Sequence, residues 1–414
     1  MKKAFFISIS IMMVIMLFVG GCAQESGTPG PSEETVETEG VETLTIGGLF
    51  ALTGFWNAAF DNSIMRMLDE AVIIINEEGG FTIGDTQYLI NITYEDTESN
   101  FDGTSSAANR LVFEKEVDFI LGPAEHFTPA ATPITEPAGV LLFPGWYNVV
   151  PDEIDQNTPF TFGTSQGSLP HATAVIKSMR QDYPDLKKIA FLSPDDGAIP
   201  YVIPHVTKVL EEEGFEIVGD LIAFPNETED FSPFVARILA LGDEVEAVFC
   251  EKSPGPAAVG NITKGLREAG KEYPIFCGSP ISTADIATVS GIEAAEGIRT
   301  PIATRNDPEM PPIAAELANR ITEKYGDDFP LSYQSAISLF ILIEAIEASQ
   351  SLDPSVVRDT LESMDYVNTI YGEGILCGED TFGINHIVSH PLPVQIFKNG
   401  EATPGGWVEI GRIP

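Results

Sequence analysis

Positive charge is scarce in this chain. Lysine and arginine together number 22 against 62 acidic residues, for a formal charge of −40. A surface of that sign repels phosphate backbones and anionic lipid heads, which excludes nucleic acid as a partner and adhesion to lipid through charge. It reads as a solvated acidic surface, with adaptation to a saline habitat as the less favoured explanation. Cysteine is sparse as well. Beyond Cys22 there are only Cys250, Cys277 and Cys377, an odd number, so no disulfide framework is implied. Catalytic signatures are missing. There is no G-x-x-x-x-G-K-[ST] loop for nucleotide phosphates, and Gly278-Ser279-Pro280 does not fit a nucleophile elbow. His386 and His390 lie four apart, but no H-E-x-x-H surrounds them and Pro391 stops a helix there. The expectation is therefore no enzyme, no metal and no cofactor. After residue 21 no apolar run is long enough to cross a bilayer.

What the chain does carry begins at its start. Lys2 and Lys3 precede an uncharged, almost wholly apolar run over residues 4–21. Val19-Gly20-Gly21-Cys22 then places small residues before a cysteine. Small residues fit the narrow cleft of a signal peptidase. The arrangement resembles the bacterial and archaeal lipobox, which implies a signal peptide over 1–21 and a lipid on Cys22. The competing reading is an uncleaved anchor helix. Both put the rest of the chain at the outer face of the cytoplasmic membrane. Residues 22–43 are rich in Gly, Pro, Ser, Thr and Glu and hold no basic residue, as a solvated acidic tether does.

The remainder is long enough for one large domain or two lobes. Apolar runs at 44–49, 88–94, 117–121 and 140–143 read as buried strands. Between them, residues 62–76 place Ile64, Met67, Leu68, Ala71 and Ile75 on one helical face, closed by Gly79-Gly80, and 105–114 is a second helix. The rhythm restarts with strands at 188–192, 216–224, 247–250 and 275–277. Helices at 202–213, 231–241 and 257–269 separate them. Alternation of this kind builds open parallel sheets covered by helices, and two such runs imply two doubly wound α/β lobes.

Several short motifs follow one another in a specific order. They are Leu44-Thr45-Ile46-Gly47-Gly48-Leu49 with Leu52-Thr53-Gly54, Ile75-Asn76-Glu77-Glu78-Gly79-Gly80, Tyr94-Glu95-Asp96-Thr97 and Phe119-Ile120-Leu121-Gly122-Pro123. Leu142-Phe143-Pro144-Gly145, Ile189-Ala190-Phe191-Leu192, Glu229-Asp230-Phe231-Ser232, Ala294-Ala295-Glu296-Gly297 and Tyr371-Gly372 continue the series. From Leu44 to the C-terminus this order resembles the type I periplasmic binding proteins of the leucine/isoleucine/valine-binding kind, the solute receptors of branched-chain amino-acid ABC transporters. The resemblance implies two lobes joined by three hinge crossings near Gly163, Thr300 and Ile370, with the ligand cleft between them. Lobe one is then 44–163 plus 300–370 and lobe two 164–299 plus 371–414. It also implies a monomer that captures a small organic solute, an amino acid or an aromatic or apolar carboxylate, and delivers it to a membrane permease. A receptor that presents the solute to a membrane sensor is the alternative.

The same resemblance nominates the ligand residues. On lobe one these are Phe55 and Trp56, then Glu125, His126 and Thr128, then Trp146 and Tyr147. On lobe two they are Ser165, Gln166, Asp196, Tyr201, Glu229 and Glu251. Glu229 is expected to hold a ligand ammonium. Large rings stand where amino-acid-binding relatives carry small hydroxyl residues, which suits an aromatic or apolar solute portion or a cation held by ring faces. For Phe55 a place in the core is an equal alternative, for His126 a solvated loop, and for the acids near Asp230 the start of a helix.

Overall fold

The computed structural model describes residues 40–413 apart from 125, 196 and 254. The expected signal sequence, most of the tether, Cys22, Glu125 and Asp196 lie outside the described residues. The described chain forms one compact unit.

Strand Val41–Phe50 is central to the first sheet, whose order is Phe81–Ile83, Thr86–Asp96, Val41–Phe50, Phe119–Leu121, Leu141–Phe143. All pairs are parallel except the outermost hairpin. The strand begins before the expected end of the tether, because Val41, Glu42 and Thr43 pair with Gln87, Tyr88 and Leu89. Helix Asn62–Glu77 buries the predicted face, Ile64, Met67, Leu68, Ala71 and Ile75. Each Ile, Met or Leu side chain so removed from water contributes about 1.5–3 kcal/mol. The helix stops where Gly79 and Gly80 take positive φ of 102° and 75°. A Cβ on Gly80 would strike the Tyr88 carbonyl oxygen, so only glycine fits that turn. The second helix starts earlier than its periodicity suggested, at Phe101. There the Asn100 side chain accepts from Gly103 N–H, and the last turn, Arg110–Glu114, widens to a π-helix.

The second sheet runs Glu401–Val408, Leu392–Lys398, Arg299–Thr300, Ile275–Cys277, Ala247–Cys250, Lys188–Asp195, Glu216–Ile217, with Ile222–Pro225 also on Lys188–Asp195. The single strand expected over 216–224 is thus two. Gly219, at φ +73°, turns the chain between them. Strands Ala247–Cys250 and Ile275–Cys277 are neighbours, as a right-handed crossover requires, and Cys250 stands opposite Cys277. Both thiols are free and buried.

A third, smaller sheet has no counterpart in the sequence reading. It joins Val367–Thr369, Gly372–Cys377, Ile387–Ser389 and Gly163–Thr164. Its strands are two to six residues long and come from two distant parts of the chain. Such short pieces leave almost no local pattern. Two of the expected crossing points, Gly163 and Thr300, fall within strands Gly163–Thr164 and Arg299–Thr300. The third, Ile370, lies in the turn before Gly372–Cys377. Among the described residues no single helix is long and apolar enough to cross a membrane.

Candidate functional site

Parallel sheets expose their loops at the carboxyl ends of the strands, and a crevice opens where neighbouring strands send their connections in opposite directions. In the first sheet that point lies between Val41–Phe50 and Phe119–Leu121, which lead into the loops bearing Trp56 and His126. The Trp56 and His126 rings meet there, with centroids 6.1 Å apart. Phe55 packs edge-on to Trp56 at 5.0 Å, and Phe60 lies 5.9 Å from it. His126 also touches Phe127 and Phe101. Phe55 remains 71% exposed, so its core alternative does not hold.

Phe60 carries this aromatic surface into a cavity of about 660 Å³, a size that suits a small organic molecule. Its wall comes from Phe60 and Ser63, Gln166 and His171, Pro256, the stretch from Pro280 to Asp285, the stretch from Pro301 to Arg305, Asp327 to Gln334, and Tyr371 with Leu392, Pro393, Gln395 and Ala402. Buried cross-links fix the wall. Ser63 and Ser332 hydroxyls meet at 2.7 Å. Gln395 accepts from Thr283 N–H and Oγ through Oε1 and donates to Thr304 Oγ1 through Nε2. Among the described residues Arg305 is the one arginine or lysine in the wall, and its guanidinium is already engaged by Thr322 Oγ1 and the Phe329 carbonyl.

Among the described residues two polar groups of the wall are left open, Gln334, whose Oε1 is buried without a partner, and His171. His171 sits in the first turn of helix Ser168–Asp182, is 1% exposed, and its Nδ1 has no hydrogen-bond partner. Burial, helped slightly by His390, pushes its imidazole down to about 3, so the ring is neutral. Trp146 covers it at 4.9 Å between ring centroids. Ser168 Oγ, at the same helix start, is also buried and unpartnered. Unsatisfied buried polar atoms cost free energy until a ligand or water meets them.

The nominated residues divide on these coordinates. Gln166 lines the cavity, Trp146 reaches it through His171, and Trp56 reaches it through Phe60. Thr128 is buried at the first turn of helix Thr128–Ala138 with its hydroxyl unpartnered. Tyr147 is not a ligand surface: it is fully buried, and its hydroxyl donates to the Thr164 carbonyl. Ser165 is likewise enclosed, bonded to His390. Glu251 is buried at the end of strand Ala247–Cys250, within 3.3 Å of Ser193 Oγ. Tyr201 and Glu229 are exposed and outside the cavity. Beside Glu229, Asp230 accepts from Ser232 N–H at the start of helix Ser232–Ala240, so that acidic run serves the helix start. His171, Gln334 and the stretches 301–305 and 327–333 were missed, since nothing local marks them as facing a cavity. Tyr371 belongs to a motif but bears no sign of its place in the wall.

A family model described as Periplasmic binding protein matches residues 43–401. The chain belongs to this family. Periplasmic binding proteins work outside the cytoplasmic membrane and are binding proteins rather than enzymes. Solved structures show the same fold at low identity. The branched-chain amino acid transporter substrate binding protein LivJ from Streptococcus pneumoniae, in complex with isoleucine, is 18% identical over 87% of this chain and 99% of its own, with a TM-score of 0.65. A leucine binding protein, LivK, from Thermotoga maritima is 18% identical over 88% and 99%, also at 0.65. An ABC-type branched-chain amino acid transporter protein from Rhodopseudomonas palustris is 15% identical over 90% and 98%, at 0.73. This periplasmic binding protein therefore has the two-lobed α/β architecture that the motif order implied.

Proposed function

We propose that this protein is a lipid-anchored receptor of an ABC importer, which captures a small organic solute by lobe closure and passes it to a permease at the outer face of the cytoplasmic membrane. The observation that carries this reading is the 660 Å³ cavity, whose wall draws on both sequence-assigned lobes. Phe60, Ser63 and the stretches 301–305 and 327–334 belong to the first assignment (44–163 plus 300–370). Gln166, His171 and Pro280 to Asp285 belong to the second (164–299 plus 371–414). A solute touching both sides stabilises the closed arrangement by its differential affinity for it.

The solute meets neutral donors and acceptors at His171, Gln166 and Gln334, and flat apolar area at Trp146, Trp56 and Phe60. That suits an amino acid or a carboxylate with an aromatic or apolar portion. The isoleucine of the S. pneumoniae relative makes branched-chain amino acids the first solutes to test. Denaturing release from protein purified without added ligand, followed by mass spectrometry, identifies what is carried. Calorimetry against amino acids and aromatic carboxylates then gives affinities, and the solute is expected back chemically unchanged. Failure of every solute of these classes to bind, or recovery of a converted product, overturns the reading.

A further inference from the structure

A second cavity, of about 420 Å³, lies beside the first, and Tyr371 lines both. Two rings make its apolar corner. Tyr371 and Trp407 meet nearly at right angles, with centroids 4.9 Å apart. Trp407 is held in place by its indole N–H, which donates to Asp307 Oδ2 at 3.1 Å. His390 backs the corner 5.7 Å from Tyr371. Its ring is a neutral wall, because Nε2 accepts from Ser165 N–H and Nδ1 donates to the Pro391 carbonyl.

The remaining chemistry has one sign. Among the described residues the charged side chains lining this cavity are Glu309, Glu373 and Glu409, while Lys177 stands at its edge with its ammonium turned to the Glu409 and Ile410 carbonyls. None of the three carboxylates is in an ion pair among the described residues. Tyr371 is 5% exposed, and its hydroxyl has no hydrogen-bond partner among the described residues. An anionic guest is repelled by this rim. A bare metal ion is not suited either, since no group of three His, Cys, Asp or Glu side chains among the described residues converges closely enough to hold one. What fits is a charge spread over a larger, partly apolar body. Ring faces attract such a cation through their quadrupole, and carboxylates lining the same cavity add a softer attraction.

We infer that this second cavity binds a small organic cation, an alkylated ammonium, with its carbon groups against Tyr371 and Trp407 and its charge toward Glu309, Glu373 and Glu409. The site adjoins the solute cavity through Tyr371, and the inference does not depend on the transport reading.

Tetramethylammonium is the probe, titrated into the mature chain by calorimetry with potassium chloride as the ionic-strength control. Saturable binding to one site per chain is expected. Trp407→Leu should weaken it by at least about fivefold, while Trp407→Phe keeps most of it. Glu373→Gln combined with Glu409→Gln should weaken it by a similar factor and flatten its salt dependence. Trp146→Ala, behind His171 of the other cavity, should leave it unchanged. Circular dichroism of each variant separates lost binding from lost fold. Absence of saturable binding in the wild type overturns the inference. So does wild-type affinity in both folded Trp407→Leu and the double glutamine variant, or loss of binding in folded Trp146→Ala.

Discussion

Ser165 and His390 are 225 positions apart and hold each other by three buried hydrogen bonds. Ser165 Oγ donates to the His390 carbonyl at 2.9 Å and accepts from His390 N–H at 2.8 Å, while Ser165 N–H reaches His390 Nε2 at 3.3 Å. The pair ties the chain just after strand Gly163–Thr164 to the segment before strand Leu392–Lys398. Ser165→Ala leaves the His390 backbone groups buried and unpaired. Urea denaturation should show a loss of about 1–3 kcal/mol with the slope unchanged. A loss within error of zero would mean that water replaces the hydroxyl.

Stability should fall on acidification through two histidines. Burial holds His171 down to about 3 and His390 to about 4, both below the ordinary 6.5. The unfolded chain therefore binds more protons than the native one below 6.5. Each imidazole takes away stability as pH drops from 6.5 toward its folded value, by up to about 1.4 kcal/mol per pH unit. His171→Phe should flatten the dependence of denaturation midpoint on pH in that window.

Asp61 should act with the opposite sign. Its carboxyl accepts from Ala51 N–H at 2.5 Å, yet burial raises it from 3.8 to about 7. The native state then holds a proton that the unfolded state has lost, so this group costs stability as pH rises from 3.8 to about 7. Asp61→Asn should stabilise the protein by about 1–3 kcal/mol near pH 8 and change little near pH 4. Equal effects at both values would show that the carboxyl titrates normally.

Trp146 covers His171 at the cavity wall, so Trp146→Ala should weaken binding of the carried solute by about tenfold, roughly 1.4 kcal/mol. Trp56→Ala, further from the wall, should cost less. Undiminished affinity in both variants would show that these loops do not contact the solute.

Cys250 and Cys277 face each other across parallel strands, and the neighbouring Cys277 thiol together with burial pushes the Cys250 thiol well up. Both should be unreactive in the native protein and should react once it is denatured without reductant, along with Cys377. Failure of either to react would reveal a disulfide.

Cys22→Ser should abolish lipid attachment and release the protein from membranes or leave it unprocessed. Unchanged mass and membrane partition would favour the uncleaved anchor.

The sequence by itself determined the rhythm of strands and helices, because hydrophobic period is a local property: the buried face of Asn62–Glu77 and the runs ending at Cys250 and Cys277 are written in neighbouring residues. It also determined the family, through the order of short motifs. The site was legible only in part. Trp56, Trp146 and Gln166 could be nominated because each lies in a loop that the architecture sends to the crevice. Tyr147 follows Trp146 directly, yet one ring is half-buried near the cavity and the other is fully buried, bonded to Thr164. No local pattern separates them, since the difference lies in which way the backbone turns at that step. Glu229 was ambiguous for a related reason: an acid before a helix reads the same whether it serves a ligand or the helix start. His171, Tyr371 and the segment 327–334 acquired their role only when strands and turns more than a hundred residues apart closed around one space. A cavity is a property of how surfaces meet, and only the tertiary structure decides that.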